Sequence, residues 1–227
     1  MTFKTDRVVN RLALPVTRRC NRSCPECPAR ARGMNTDNET TLDELRWVGK
    51  TIGPIAHVEV TGGEPSLHPD FAEISAHIHE WFDCQDFLLL TNGYLFEDDA
   101  ALPLLLHWDR VYITWYTNDF AVRHRSSANT AVVNRVEDYL KSKGRPVWVQ
   151  RMDAHVPLSA PPAGANGCRF GYDRNDMVAY HKGQLYGCCT AWQLENRGRG
   201  IVLTEDWRTK LGGIDLPCDK CFLGAVC

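Results

Sequence analysis

The chain has 227 residues, of which 44% are hydrophobic and 24% charged, and its formal net charge is −2. These values are typical of a globular protein and argue against one that binds polyanions through its overall charge. The sequence contains no apolar run long enough for a signal peptide or a transmembrane helix, so we expect a cytoplasmic protein without a membrane partner.

Five short apolar segments alternate with amphipathic patterns along the first two thirds of the chain. Near-continuous apolar runs rich in branched residues are typical of strands that are buried on both faces of a parallel sheet. The predicted strands are "RLALPV" (11–16), "IAHVEV" (55–60), "FLLL" (87–90), "VYITWY" (111–116) and "PVWVQ" (146–150).

Four helices are predicted between these strands, over 42–52, 71–82, 97–108 and 132–140. The first begins with a capping box from Thr41 to Glu44, and the third has acidic residues at its start, as the helix dipole favours. The alternation of strand and helix predicts right-handed βα units in an α/β fold. Five units are too few for a closed eight-fold barrel, so we expect a partial (β/α) barrel or a short parallel sheet.

The pattern changes after Gln150. A connector rich in proline and glycine (155–167) precedes a predicted hairpin over 177–189, which turns near Lys182 and Gly183, and a short helix over 204–211. We therefore divide the chain into a barrel domain, 1–160, and a small hairpin-helix domain, 161–227. The second domain has little hydrophobic mass, and a metal or cluster would stabilise it.

Ten cysteines are many for a protein without an export signal, and they favour metal binding or catalysis over disulfides. Cys84 stands alone and is expected to be a buried, inert thiol. The others form two groups, Cys20, Cys24 and Cys27 near the start, and Cys168, Cys188, Cys189, Cys218, Cys221 and Cys227 near the end.

The first group, "CNRSCPEC", has the spacing C-x3-C-x2-C and follows the first predicted strand. Active sites of βα folds form at the carboxyl ends of the strands, where this loop would lie. Three thiolates there can hold three irons of a [4Fe–4S] cluster and leave the fourth iron open to a substrate. The alternative is half of a zinc site that is completed by the C-terminal cysteines.

A second motif, Gly62-Gly63-Glu64-Pro65, follows the second strand and belongs to the same edge. Two glycines let the backbone approach a ligand, and exposed carbonyls and a carboxylate can accept hydrogen bonds from an ammonium group. Taken alone, the glycines are also compatible with a plain tight turn.

With both motifs, the chain resembles the radical S-adenosylmethionine (SAM) enzymes over roughly residues 10 to 150. The resemblance implies that Cys20, Cys24 and Cys27 carry a [4Fe–4S] cluster and that Gly62, Gly63, Glu64 and Pro65 receive the amino group of SAM. It extends to Thr91 and Asn92 in "LLLTNG" (88–93), which by itself fits an ordinary turn, and to Thr114 on the fourth strand. Glu26 stands where the family usually has an aromatic residue, so the adenine would be held differently.

The resemblance implies reductive cleavage of SAM to a 5′-deoxyadenosyl radical that abstracts a hydrogen atom from the substrate. The outcome would be an oxidation or a redox-neutral isomerisation or epimerisation, with an electron donor such as flavodoxin or ferredoxin. An epimerisation needs a hydrogen donor, for which Cys227, Cys189 and Cys84 are candidates.

The C-terminal cysteines resemble the auxiliary-cluster domains of this superfamily, the SPASM domain and its shortened twitch form. The resemblance implies a second [4Fe–4S] cluster, which we assign to Cys168, Cys188, Cys218 and Cys221, with Cys189 or Cys227 as alternates. The chain ends before a complete SPASM pattern. A zinc site with four thiolates fits the same C-x2-C spacing.

Arginines crowd the cysteine loop, and arginine suits phosphate or carboxylate recognition. We therefore expect a compact anionic substrate, with a nucleotide or a nucleic acid as an alternative substrate. A second interpretation is that the arginines serve only the cluster, the carboxylate of SAM or solubility, and do not contact a substrate. These positive residues are Arg18, Arg19, Arg22, Arg30 and Arg32, with Arg197, Arg199, Arg208 and Lys210 further on. Arg151, after the fifth strand, is a candidate to contact substrate inside the barrel or to form a structural ion pair.

Two further alternatives stay open. Only 19 residues precede Cys20, which disfavours a dedicated peptide-binding domain and hence a ribosomal-peptide substrate, although a separate protein could recruit the peptide. The non-enzymatic alternative is a binding module stabilised by zinc or a cluster.

Overall fold

The computed structural model describes residues 9–22, 24, 39–118, 127–152, 177–187 and 200–214. In these ranges the chain forms eight strands and three α-helices with several 3₁₀ segments. The strands are β1 (Arg11–Thr17), β2 (Ile55–Gly62), β3 (Cys84–Thr91), β4 (Arg110–Tyr116), β5 (Val147–Met152), β6 (Met177–His181), β7 (Gln184–Tyr186) and β8 (Ile201–Val202). The helices are α1 (Leu42–Ile52), α2 (Phe71–Trp81) and α3 (Thr130–Ser142).

All strands belong to one sheet with the order β5-β4-β3-β2-β1-β6-β7-β8. Strands β1 to β5 pair in parallel, each with the next strand along the chain. The sheet is open, which confirms the predicted α/β fold of a partial barrel. Because parallel strands end at one edge, the loops after β1 to β4 meet there.

The core lies between one face of the sheet and the helices. Leu12 and Leu14 of β1, Val58 and Val60 of β2, and Phe87 of β3 are completely buried. They pack with apolar stripes of the helices, which include Leu45, Val48, Ile74, Ile78, Val132 and Val136. The alternate residues of the strands face the opposite, interior side of the partial barrel.

The start of α1 follows the predicted capping box only in part. The Oγ1 atom of Thr41 accepts a hydrogen bond from the Glu44 backbone N–H at 3.2 Å. The Glu44 carboxylate instead accepts the hydroxyl hydrogen of Tyr180 at 2.5 Å. The acid that was predicted to complete the cap therefore connects α1 to β6.

The helix predicted over 97–108 is a 3₁₀ helix, Asp99–His107. Pro103 lies inside it and has no backbone N–H to donate to the carbonyl four residues earlier, which disfavours the α form. The short helix predicted over 204–211 is likewise a 3₁₀ segment, Trp207–Gly213.

The predicted hairpin is confirmed. Strands β6 and β7 pair antiparallel and turn at Lys182 and Gly183, whose φ angles of 46° and 77° suit a two-residue hairpin turn. Strand β6 also pairs in parallel with β1, so the hairpin extends the main sheet. The 3₁₀ segment that follows the hairpin also contacts the first part of the chain, since the indole Nε1–H of Trp207 donates to Ile52 O of α1 at 3.0 Å.

The described part of the predicted second domain is thus joined to the sheet and core of the first. The predicted boundary at residues 160 and 161 lies outside the described residues, and the division into two domains stays a prediction. Among the helices of the described residues, none has the length and apolarity needed to cross a membrane.

Candidate active site

The loops at the carboxyl edge of the sheet bring together most of the site residues that were predicted from the sequence. Those within the described residues are Cys20, Cys24, Gly62, Gly63, Glu64, Pro65, Thr91, Asn92 and Thr114. Cys27, Glu26 and all six C-terminal cysteines lie outside them. We refer to the described edge, from the cysteine loop to the end of β4, as the rim.

The turn after β2 packs directly against the cysteine loop. Gly63 N–H donates to Thr17 O at 2.8 Å, and Glu64 N–H donates to Arg19 O at 2.7 Å. A Cβ atom on Gly63 would lie 2.1 Å from Arg19 O, and one on Gly62 would lie 2.3 Å from Thr17 O. Both glycines are therefore required for this close approach, and Gly62 also has a φ of +150°, which side chains disfavour.

The Glu64 carboxylate is buried, with 1% of the residue exposed, which differs from the expected exposed carboxylate. It accepts hydrogen bonds from Ser66 N–H at 3.2 Å, from the hydroxyls of Ser66 and Thr91 at 2.6 Å each, and from Asn92 N–H at 2.6 Å. Burial raises the pKa of Glu64 despite these bonds, which favour the ionised form. The side chain joins the turns after β2 and β3.

Asn92 connects the turn after β3 to the cysteine loop. Its Nδ2 atom lies 2.9 Å from Asn21 Oδ1, to which it donates, and 3.9 Å from Cys20 Sγ. The side-chain amide of Asn129 donates hydrogen bonds to Asn92 O at 2.7 Å and to Thr114 O at 2.8 Å. Sequence reasoning missed Asn129, because nothing local marks a residue before a helix as a link between strands.

Cys20 and Cys24, the described cysteines of the loop, have the surroundings of thiolate ligands, and neither forms a disulfide. Cys20 is buried, and its Sγ atom accepts from Arg22 N–H at 3.4 Å. Cys24 Sγ lies 4.0 Å from the hydroxyl of Tyr116. Donors directed at sulfur stabilise thiolates, so the Arg22 N–H and the Asn92 amide beside Cys20 Sγ fit a ligand of an iron–sulfur cluster. Within the described residues, which do not include Cys27, no group of three metal-binding side chains is found.

Arg22, which is buried, and Tyr116, which is partly buried, form a pair beside Cys24. The Arg22 guanidinium carbon lies 4.1 Å from the centroid of the Tyr116 ring, and its Nη1 donates to Ser127 O at 2.6 Å. The pKa of Tyr116 is well above its usual value because of burial and, secondarily, the charge of Cys24. The only sequence signal for Tyr116 was its position at the end of β4, on the same face as Thr114.

Two loop arginines are engaged within the protein, which weakens the inference of an anionic substrate. Arg19 forms an ion pair with Glu39, and Arg22 is 8% exposed. Of the two alternatives for Arg151, contact with substrate inside the barrel does not agree with its position. Its guanidinium carbon lies 5.2 Å from the ring centroid of Trp115, on the side of the sheet that packs against the helices.

A second polar cluster, which the sequence reasoning did not predict, lies at the start of the strands on the interior face. Arg11 pairs with Glu59, while Asp86 pairs with Arg110 and, at 3.0 Å, with His57 Nδ1. Desolvation would raise the pKa of Asp86, but Arg110 and His57 together lower it. Since these charges neutralise one another, we interpret them as the floor of the barrel.

Cys84 also belongs to the far end of the sheet, at the start of β3. Its Sγ–H contacts the backbone oxygens of Asp86 at 3.3 Å and Ala56 at 3.5 Å, and burial raises its pKa. The thiol is only half-buried, but these features agree with an inert cysteine. Its position separates it from the rim, where a hydrogen donor would act.

Comparison with known protein families identifies the family of this chain. A family model described as the Radical SAM superfamily matches residues 14–152, which is more than half of the chain. The chain therefore belongs to the radical SAM superfamily. Membership implies that it binds SAM and a [4Fe–4S] cluster.

The individual proteins that the chain resembles match it over part of its length or at low sequence identity. The chain is 37% identical over 95 residues to a GTP 3′,8-cyclase of Pectobacterium atrosepticum, a match that covers 40% of this chain and 29% of that protein. BtrN in complex with AdoMet and 2-DOIA has a similar fold, with a TM-score of 0.59 at 15% identity over 96% of this chain and 92% of the other. The anSMEcpe structure with bound AdoMet gives a TM-score of 0.55 at 13% identity over 95% and 86%.

Proposed function

We propose that this radical SAM enzyme abstracts a hydrogen atom from a compact substrate, giving an oxidation or an isomerisation such as epimerisation. The observation that supports the proposal is the close contact of Gly62 and Gly63 with the backbone of Thr17 and Arg19, directly before Cys20. When bound, the cluster and SAM supply reductive cleavage to a 5′-deoxyadenosyl radical.

The chain's own residues would bind and orient the cofactor. We assign Cys20, Cys24 and Cys27 to the cluster, and the backbone of Gly62 to Pro65 to the ammonium group of SAM. Glu64 would act through its hydrogen bonds to Ser66, Thr91 and Asn92, which hold the two turns in position. Thr114 lies on the interior face of β4, where it is available to the remainder of SAM.

An auxiliary [4Fe–4S] cluster on Cys168, Cys188, Cys218 and Cys221 is part of the proposal, with Cys189 or Cys227 as alternates. Iron, sulfide and zinc would be measured per chain after anaerobic purification and reconstitution. About eight irons with matching sulfide support two clusters, and about four leave the first cluster alone. Zinc without iron would contradict the enzymatic proposal and favour the binding module.

Activity would be tested by the formation of 5′-deoxyadenosine from SAM under reduction by dithionite. We expect formation in the wild type and none in Cys24→Ala, while Cys84→Ala, which removes a thiol away from the rim, retains it. An oxidation consumes SAM stoichiometrically, whereas an epimerisation by a thiol donor incorporates a solvent deuteron into product. Loss of deuterium incorporation in Cys227→Ala would identify that donor.

A nucleotide is the second candidate substrate, because the relative from Pectobacterium atrosepticum is named a GTP 3′,8-cyclase. The chain spans less than a third of that relative, so its activity cannot be transferred as a whole. Purine and pyrimidine triphosphates would be compared with small carboxylates and sugar phosphates for their ability to stimulate 5′-deoxyadenosine formation. No stimulation by any nucleotide would remove this candidate, and a ribosomal peptide would be tested next.

A further inference from the structure

The end of β4 contacts the cysteine loop through one side chain. The Tyr116 hydroxyl oxygen lies 4.0 Å from Cys24 Sγ, although the residues are 92 positions apart in the sequence. A neutral tyrosine hydroxyl is a donor, and a thiolate is an acceptor. Tyr116 is therefore placed to donate its hydroxyl hydrogen to Cys24 when that cysteine is a metal ligand.

The backbone of Tyr116 is held on both sides by Asn129. The Tyr116 N–H donates to Asn129 Oδ1 at 2.7 Å, and Asn129 N–H donates to Tyr116 O at 3.2 Å. Because strand β4 also pairs with β5 through Tyr116 and Met152, the Tyr116 backbone cannot move away from the loop without breaking this pairing. The sheet thus fixes the position from which the Tyr116 side chain reaches Cys24.

Arg22 adds a positive charge at the same place. It is buried, its guanidinium stacks on the Tyr116 ring, and its Nε–H has no acceptor within the described residues. In that part of the chain no carboxylate pairs with it, and a buried cation is costly without a negative partner. A thiolate-bound cluster would supply that negative charge.

We propose that Tyr116 and Arg22 tune the SAM-binding cluster, Tyr116 by donating a hydrogen bond to the Cys24 thiolate and Arg22 by placing a positive charge beside it. Reduction adds an electron to the cluster, and both interactions stabilise the more negative state. They therefore raise the reduction potential and favour electron entry. This inference rests on the proposed function, because it requires the cluster on Cys20, Cys24 and Cys27.

The test is a potentiometric titration of the reconstituted full chain, in which the reduced cluster is detected by electron paramagnetic resonance. The SAM-binding cluster is identified as the one whose signal changes when SAM is added. In Tyr116→Phe we expect the ratio of reduced to oxidised cluster at one ambient potential to fall roughly tenfold, about 59 mV for a one-electron couple. Arg22→Gln shifts the potential in the same direction. Difluorotyrosine at position 116, a stronger donor, shifts it in the opposite direction.

Tyr112→Phe is the matched control. Tyr112 lies on the same face of β4, roughly 13 Å along the strand from Tyr116, so its hydroxyl should not affect the cluster. Electron–nuclear double resonance in H₂O and D₂O should show an exchangeable proton coupling that Tyr116→Phe loses and Tyr112→Phe keeps. A change of packing alone would not remove that coupling selectively.

The outcomes separate the two proposals. Wild-type protein without iron would overturn both of them. Full iron content with equal potentials in wild type, Tyr116→Phe and the difluorotyrosine form would overturn the tuning role and leave the proposed function intact. If Tyr116→Phe does not retain iron, the shift in the difluorotyrosine form decides.

Discussion

Gly63 occupies a position where no side chain fits, because its Cβ would lie 2.1 Å from Arg19 O. We expect Gly63→Ala to push the cysteine loop away from the turn after β2. The predicted result is a loss of more than about half of the bound iron and of about 1–3 kcal/mol of unfolding free energy. Iron analysis after reconstitution and denaturant unfolding would measure these two effects.

The matched control for this glycine is Gly213→Ala. A Cβ there meets Ile201 Cγ2 at 3.4 Å, an ordinary contact. Iron content and unfolding free energy should stay close to the wild type. If Gly63→Ala behaved like this control, the close approach would not matter for the site.

His68 is a buried neutral base in the segment after Glu64. Its Nδ1 accepts from Asp70 N–H and its Nε2–H donates to Thr40 O, each at 3.0 Å, which requires the Nε2-protonated tautomer. Burial lowers the pKa of His68 from its ordinary value, so below about pH 6.5 the unfolded chain binds more protons than the folded one. Stability from this residue is present at higher pH and decreases as pH falls through that range.

We therefore predict that His68→Gln lowers the unfolding free energy by about 1–2 kcal/mol at pH 7.5. The difference from wild type should shrink toward pH 5.5, with a slope of at most about 1.4 kcal/mol per pH unit. Urea unfolding at several pH values would measure it. The exposed His77→Gln is the control, and a difference that is constant with pH would contradict the neutral-base assignment.

At the scale of elements, Asn129 precedes α3 but makes no side-chain cap for it. Its amide instead contacts Asn92 O, Thr114 O and Tyr116 N–H, and so joins the ends of β3 and β4. Asn129→Ala would leave these groups without partners. We expect a loss of about 3 kcal/mol in unfolding free energy, measured by denaturant titration.

Asn134→Ala is the control for this link, since Asn134 is exposed on α3. We expect it to change the unfolding free energy by no more than about 0.5 kcal/mol. Equal effects of the two substitutions would mean that Asn129 acts only through the helix. The link between the two strand ends would then be dispensable.

Elements differed in how well their local sequence predicted them. The continuous apolar runs of β1 to β5 identified strands because a parallel sheet buries both faces. The segment around Pro103 was misread as an amphipathic α-helix, since its apolar spacing also suits a tighter 3₁₀ helix. Periodicity alone did not show which hydrogen-bonding pattern the proline allows.

At the scale of the whole molecule, the hairpin of β6 and β7 belongs to the sheet of the barrel, and the segment after it packs on the core of the barrel. Trp207 is 1% exposed and donates to Ile52 O, and Arg208 donates to Val9 O and Pro54 O at 3.1 and 2.7 Å. We expect Trp207→Ala to cost about 3–5 kcal/mol and to increase amide hydrogen exchange in β1 and α1 as well as locally. Hydrogen exchange with mass spectrometry would map the change.

The exposed Trp47→Ala, on α1, is the control and should cost much less, because Trp47 is 42% exposed. Faster exchange confined to residues 200–214 in Trp207→Ala would contradict the shared core. In that case the hairpin and the segment after it would be a separate folding unit. The same experiment thus tests the predicted domain division.

The sequence by itself determined the α/β class, the alternation of strands and helices in βα units, the cysteine loop and the glycine turn. Each of these depends on residues that are close together in the chain, where spacing and burial pattern leave few alternatives. It could not show that Glu64 is buried, that Arg151 lies over Trp115, or that Arg22 stacks on Tyr116.

Only the tertiary structure decided those contacts, because they join residues far apart in the sequence. The pairing of Cys24 with Tyr116 across 92 positions depends on the register of four parallel strands, which no local pattern specifies. The same holds for β6, whose pairing with β1 places the hairpin in the main sheet. A sheet brings distant residues together by backbone hydrogen bonds, which are nearly independent of the side chains that come into contact.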